Sequence, residues 1–394
     1  MLLIPKRLNW PTRRIPLAWL MLSRQRLRLL VALAGIGFAG LLMFMQLGFK
    51  DALFEASITI HRELDTDLVL ISPQATASIA MSPFPERRLY QTLAFPEVTS
   101  ISPMYWGFAN WRNPETRKPR SIQVMGIDPN DPVFLLPSLN SAQRQLQVPD
   151  VVLFDERSRA EFGPIPQWFK ADRPITTEVA GRRVRVVGLF PLGASFGADG
   201  NIVTSDLTFF KLFPDRKPEQ IDIGLIKVRP GTNVPDLLQR MKRQLPPDVR
   251  VLSKQGFEAF ERDYWANSTA IGFIFTLGAI MGFVVGGVVV YQILYSDVSD
   301  HLAEYATLKA MGYSDLYLLW VVFQEALLLA VLGYIPSFLL STAIYHLGSS
   351  ATNLPLSMTL ERAVLVFLLT LAMCGVSGAI AVRRLKSADP AEIF

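Results

Sequence analysis

The chain has 394 residues, half of them hydrophobic, with a formal net charge of +5 and one cysteine. A mean hydropathy of +0.28 is too apolar for an ordinary soluble enzyme, and membrane segments account for the excess. The lone Cys374 sits in an apolar run, which excludes a disulfide framework, and His61, His301 and His346 are too widely spaced to read as metal ligands.

Residues 1–28 hold Lys6, Arg7, Arg13, Arg14, Arg24, Arg26 and Arg28 and no acid. A basic flank that ends at a hydrophobic run is explained by membrane topology rather than by nucleic acid. Leu17–Leu22, with Trp19, followed by Arg24, Arg26 and Arg28, predicts an amphipathic helix lying in the headgroup layer. The run 29–49 is long enough to cross a bilayer, which takes about 20 apolar residues. It exceeds a signal-peptide core, and Phe49-Lys50-Asp51 is no small-residue cleavage site, so it reads as a retained anchor.

Residues 51–267 then carry 26 basic and 26 acidic side chains and form a neutral, water-exposed domain. Helical patterns at Asp51–Leu64 and Gly256–Asn267 predict that the first two spans continue side by side as a stalk, with Trp265 a further candidate for an interfacial anchor. Between them, β-rich runs at Asp67–Ile71, Val98–Trp106, Ser121–Ile127, Val151–Phe154, Val184–Leu189, Asn201–Thr204, Ile221–Val228 and Val249–Leu252 read as strands. Helical patterns fall at Pro85–Leu93, Asp206–Leu212 and Val234–Leu245. This interleaving predicts an α+β domain, and Pro-rich breaks at 128–137 and 163–174 hint at an inserted subdomain.

The second span, 268–294, places Gly278, Gly282 and Gly286 at four-residue spacing on one helix face. Such a face lets another backbone approach closely in lipid, either a second copy or another span of this chain; a self-association seam is the favoured reading. In the following segment, 295–316, Val298, Leu302, Tyr305 and Leu308 form an apolar stripe opposite Asp297, Asp300 and Glu304, a face expected to be solvated, and Gly312 is a helix-ending residue. Span three, 317–345, contains Glu325 and Pro336; Glu325 reads as a lone acid hydrogen-bonded between helices, with a proton relay as the alternative. A short loop, 346–362, precedes span four, 363–382, and a basic tail, 383–394. Basic residues at both ends put the chain termini in the cytoplasm and the domain 50–267 outside it.

Two chemical motifs fail. Gly193-Ala-Ser195-Phe-Gly197 matches a nucleophile elbow by letter, but turn-forming Ala198-Asp199-Gly200-Asn201 follows and the outer domain has no downstream histidine. No Gly-x-x-x-x-Gly-Lys-Ser/Thr phosphate cradle is present, so energy must come from a separate subunit. No catalytic, cofactor-binding or metal-binding residue is assigned.

One span, a large outer domain and three clustered spans resembles the plan of MacB/FtsX-type ABC transporter permeases, and most closely the DevC permeases of DevBCA exporters. The resemblance rests on Leu17-Ala18-Trp19 before span one, Glu304–Tyr313 after span two and Ala388-Asp-Pro-Ala-Glu392 at the end, with Val151–Phe154 and Val184–Gly188 similar to family strands. Tyr305-Ala306 replaces the family's Ile-Gly. The resemblance implies four transmembrane helices plus an α+β domain of MacB periplasmic-core type, in the inner membrane with the large domain periplasmic. It implies a homodimer working with a DevA-like ABC ATPase that binds the ATP, a DevB-like membrane-fusion adaptor and a TolC-like outer-membrane protein. Glu304, Tyr305, Leu308, Lys309, Met311 and Gly312 would dock on the ATPase, with Gly278, Gly282 and Gly286 as the dimer seam. The cargo expected is a lipid, a glycolipid or another hydrophobic molecule, moved by mechanotransmission. An FtsX-like subunit regulating a cell-wall hydrolase is the alternative.

Overall fold

The computed structural model describes residues 26–301, 303–304, 307, 311, 315–352 and 354–381. The amphipathic helix expected before residue 26, the tail 383–394 and Tyr305, Leu308, Lys309 and Gly312 lie outside the described residues. In chain order the main elements are α1 (Arg26–Glu63), β1 (Leu68–Ile71), β2 (Phe84–Pro85), α2 (Arg87–Tyr90), β3 (Val98–Arg112), β4 (Pro119–Ile127), α3 (Pro137–Ala142), β5 (Val151–Asp155), α4 (Ile165–Lys170), β6 (Ile175–Val179), β7 (Arg182–Phe190), β8 (Asn201–Ser205), α5 (Asp206–Leu212), β9 (Gln220–Ile221), β10 (Ile223–Val228), α6 (Val234–Gln244), β11 (Arg250–Ser253), α7 (Lys254–Asp263), α8 (Ala270–Asp300), α9 (Asp315–Thr352) and α10 (Leu360–Ala381). They divide into a membrane-helix unit and an outer unit spanning Phe49–Ile274 and Leu347–Leu356.

Among the described residues four helices are long and apolar enough to cross a membrane: α1, α8, the Trp320–Ser349 stretch of α9, and α10. In hydrocarbon a helix satisfies its own backbone, so association rests on close packing and on pairing the few polar side chains. Small residues supply the packing. A Cβ on Gly40 would strike Ser337, one on Gly333 would strike Ile36, and Gly37 faces the Gly333 carbonyl and Pro336. Polar side chains then cap backbone carbonyls of neighbouring spans: Tyr345 Oη donates to Phe44 O, Ser377 Oγ to Gly287 O at 2.7 Å and Tyr334 Oη to Ala363 O at 3.0 Å. Ile36, Ala39, Val290, Leu294, Ala326, Leu329 and Met373 fill the centre.

The outer unit is built on a nine-stranded mixed sheet ordered β11-β1-β10-β3-β4-β8-β5-β7-β6. The 15-residue β3 makes this order possible. Val98–Met104 pairs with β10, Met104–Arg112 pairs with β4, and Trp111 and Arg112 also pair with β6. The β6 contact closes β3, β4, β8, β5, β7 and β6 into a ring, attached through β3 to the open sheet β10-β1-β11. Two ring pairings, β4–β8 and β5–β7, are parallel.

Side chains alternate along the strands, as the pleat requires. Leu68, Leu70, Tyr105, Trp111, Ile122, Val124, Phe154 and Ile202 point into one core with Phe209 of α5 and Leu237 of α6. Val69, Ile71, Met104, Met125, Ile127, Leu153 and Val203 point into the other, with Ile60 of α1, Leu139 of α3 and Phe257 of α7. Caps fix the helix starts: the Ser205, Asn233 and Ser253 side chains accept from backbone N–H groups in the first turns of α5, α6 and α7.

Phe154 is 1% exposed and its ring lies 5.1 Å from Trp111 and 6.4 Å from Phe162. Phe154→Ala should cost about 3–5 kcal/mol and lower the thermal unfolding midpoint of the outer unit, read by circular dichroism on the solubilised chain.

Candidate functional site

Three places join polar chemistry to the fold: the end of α8, the glycine face of α8, and the α1–α7 pair of the outer unit. At the first, the expected solvated acidic face is half buried. Asp297 is 6% exposed and its neighbour Val298 fully buried. Arg28, read from sequence as a cation without acidic partners, reaches Asp297 Oδ1 at 3.4 Å and Asp300 Oδ2 at 2.7 Å and donates to Ser296 Oγ. A cation from α1 thus ties the polar end of span one to the end of span two. Glu325 has an acidic neighbour, Asp297, so it is not the lone acid its sequence surroundings suggest.

Met311 N donates to Thr307 O at 3.0 Å and Thr307 Oγ1 to Ala303 O at 2.8 Å, both four-residue helical spacings. Glu304 is exposed and Met311 is 64% exposed, an apolar side chain standing in the open on a helical turn. Of the six sequence-assigned coupling residues these two are described, and both are accessible.

The glycine face is occupied within the chain. A Cβ on Gly278 would strike Gln46, one on Gly282 would meet Leu42 and Met43 at 3.3 Å, and one on Gly286 would strike Ala39 and Met373. The close approach that the spacing implies is therefore made by α1 and α10 of the same molecule. The intramolecular option holds, and the expected seam between copies is already filled at these three positions. Sequence reasoning missed the matching small residues on α1 itself: Gly35 faces Val289 and Gly48 faces Tyr345.

Within the outer unit, α1 and α7 run together. Arg62 pairs with Glu55 and lies 3.6 Å from Glu258, and Arg262 reaches Glu55 at 3.1 Å. The α7 helix does not continue directly into α8. Tyr264–Ser268 forms a π turn and Thr269 is extended (φ −120°, ψ 159°) before α8 begins. A Cβ on Gly272 would strike the Ala266 carbonyl, so the turn needs a glycine there. The second half of the expected stalk is therefore interrupted, whereas α1 is unbroken from Arg26 to Glu63.

Behind these helices lies a buried polar cluster. Glu261, 2% exposed, accepts from Ser78 N (2.8 Å), Ser78 Oγ (2.8 Å) and Trp265 Nε1 (2.8 Å). Trp265 is buried against Phe196 and Glu261, so it is no interfacial anchor. His61 Nε2 sits 3.1 Å from Ser78 Oγ, and its ring lies 4.4 Å from Phe257. The Ser78 hydroxyl proton is given to Glu261, so His61 must donate through Nε2 and leave Nδ1 bare, matching the absence of a partner there. A hydrolytic triad needs the reverse arrangement, with the acid on Nδ1 and the serine proton aimed at Nε2. The cluster is a structural tie between α1, α7 and the loop at Ser78. Burial lowers the His61 pKa from 6.5 to about 3 and raises that of Glu261. The ring is therefore neutral, despite a 3.8 Å approach to Glu261 that would suit an ion pair.

Ser195 holds a turn. Its N–H donates to Ala198 O at 2.8 Å and its Oγ accepts from Ala198 N at 3.1 Å, with no histidine among its partners. Beside it, buried Asp155 accepts from Leu192 N, Gly193 N, Arg157 N and Asn201 Nδ2 and so fixes the loop. A cavity of about 670 Å3 opens on the ring near Asn113, Lys118 and Arg159. Its arginines are neutralised internally: Arg120 bridges Asp199 and Glu161, and Arg159 also takes Asp199. Among the described residues no group of His, Cys, Asp and Glu could hold a metal ion.

Residues 273–390 match the FtsX-like permease C-terminal family. This stretch contains nearly all of α8, the exposed residues Ala303, Glu304, Thr307 and Met311, α9 and α10. The chain is also similar to two uncharacterized ABC transporter permeases of Mycobacterium tuberculosis (strains CDC 1551 / Oshkosh and ATCC 25618 / H37Rv), each 23% identical over 332 residues, or 83% of this chain and 83% of theirs. Among solved structures it is similar to the periplasmic region of MacB from Actinobacillus actinomycetemcomitans (13% identity, 51% of this chain and 94% of that one, TM-score 0.34). It is likewise similar to the extracellular domain of the Gram-positive transporter YknZ (14%, 48% and 100%, TM-score 0.31).

Two outcomes follow. Gly286→Leu should destabilise the solubilised chain by forcing α1 and α10 off α8, lowering its thermal midpoint by several degrees; an unchanged midpoint would contradict the internal packing. For His61, the unfolded chain binds a proton below pH 6.5 that the buried ring refuses until about pH 3. Its contribution is therefore complete above pH 6.5 and is lost as pH falls through that window. Glu261, raised by burial, acts with the opposite sign in its own range. His61→Gln should flatten the loss of thermal midpoint between pH 6.5 and 5.

Proposed function

We propose that this chain is the membrane-spanning permease subunit of an ABC-type exporter, driven by a separate ATPase. The observation that carries the reading is the open helical turn ending at Met311, directly after the second span and inside the stretch that matches the FtsX-like permease family. Its exposed methionine and nearby Glu304 offer an apolar contact and a charge to a soluble partner. The chain has no phosphate-binding loop of its own, so ATP is bound by that partner.

In this scheme two copies work with two DevA-like ATPase subunits. Closure of the ATPases pulls the Glu304–Tyr313 segments together, and the movement reaches the outer unit through helices rather than through a channel. The unbroken α1 supports such a lever, since a helix of 38 residues carries a push along its axis without a soft joint. A DevB-like adaptor and a TolC-like duct would take the cargo, a lipid, glycolipid or other hydrophobic molecule, across the periplasm and the outer membrane. The homodimer would have to meet through surfaces other than Gly278, Gly282 and Gly286, which are filled within one chain.

Replacing Met311 or Leu308 by Asp should reduce co-purification of a co-expressed ABC ATPase partner at least tenfold and leave the outer unit folded by circular dichroism. Wild-type recovery of the ATPase with both variants would contradict the docking role.

A further inference from the structure

The Glu325 carboxyl is fully buried in the membrane-helix unit, and neither of its oxygens meets a donor. It lies within hydrogen-bonding reach of Asp297, itself buried, whose Oδ2 also lacks a donor. Two ionised carboxylates cannot satisfy one another, because each is an acceptor only. In surroundings this poor in water, two like charges in contact would drive α8 and α9 apart. One proton between them resolves both problems, since it gives one acid a donor and removes one charge.

We propose that Asp297 and Glu325 form a proton-binding site inside the membrane bundle, holding a single shared proton between spans two and three. The groups around the pair fix which acid keeps the charge. From α1, Arg28 stands 3.4 Å from Asp297 Oδ1. From α8 itself, His301 Nδ1 lies 3.0 Å from the Asp297 carbonyl and 3.7 Å from Oδ1, and Asp300 shares Arg28. Among the described residues, α10 brings only Cys374 of the titratable types to the same core, and α9 adds no second ionisable group at the pair. Among the described residues the cation at the pair, Arg28, stands against Asp297, so Asp297 is the carboxylate and Glu325 carries the proton.

The site lies near the end of α8, which leads on to the exposed Ala303, Glu304, Thr307 and Met311. With the proton present, span three is hydrogen-bonded to span two at that end; without it, two carboxylates face each other there. The pair is thus a proton-dependent clasp on the segment proposed to meet the ATPase, but it stands independently of that role, since it rests only on the two acids and their neighbours.

Infrared spectroscopy of the full chain in lipid nanodiscs tests it. At neutral pH the wild type should show the carbonyl stretch of a protonated carboxylic acid in an apolar site. Glu325→Gln, whose amide can still donate to Asp297, should lose that band and keep the wild-type fold. Asp297→Asn should move the band to higher frequency, because the strong carboxylate acceptor is gone. Absence of the band in the wild type, its persistence in Glu325→Gln, or an unmoved frequency in Asp297→Asn would each overturn the shared proton. Should Glu325→Gln fail to fold, the Asp297→Asn frequency decides alone.

Discussion

A polar atom that water cannot reach must find its partner inside the chain, and both units of this molecule are arranged around that constraint. In the bundle it sets where Tyr345, Ser377 and Tyr334 stand, each against a carbonyl of another span. It also draws Arg28 out of the basic flank and onto Asp297 and Asp300. In the outer unit the same requirement places Asp155 among four donors and Glu261 among three. Hydrophobic packing makes the cores, but these pairings decide which helix lies against which, since a misplaced span would strand a charge at a cost of several kcal/mol.

Much of this was legible in the sequence, and the misses have physical causes. Long apolar runs announce spans without tertiary help, because a span's own length and composition decide its fate in lipid. Eight strands declared themselves through β-branched runs. Strand β6 did not, because Thr176, Thr177 and Glu178 dilute its pattern and its hairpin turns on Ala180 and Gly181 (φ 51° and 76°), where Asn-Gly would have signalled the turn. Helices α3 and α4, six residues each, are too short for a periodic signal.

The candidate site was readable in part. Glu304 and Met311 stand exposed, and the small-residue face of α8 does receive another backbone. Sequence could not say which backbone, since spacing specifies a surface and not its occupant. For the same reason the partnership of Asp297 with Glu325, 28 positions apart on different helices, and that of His61 with Ser78 and Glu261, were invisible before the elements were assembled. Pairings remote in sequence are the ones that propensity and periodicity do not record.

Closure of the six-strand ring leaves β11 as the terminal strand of the nine-stranded sheet, with its outer side as a margin. That margin is four residues long, begins at Arg250 and runs straight into the Ser253-capped helix. Polymerisation by edge-to-edge pairing has almost nothing to template on there, so this unit is guarded against cross-β assembly by topology rather than by surface charge.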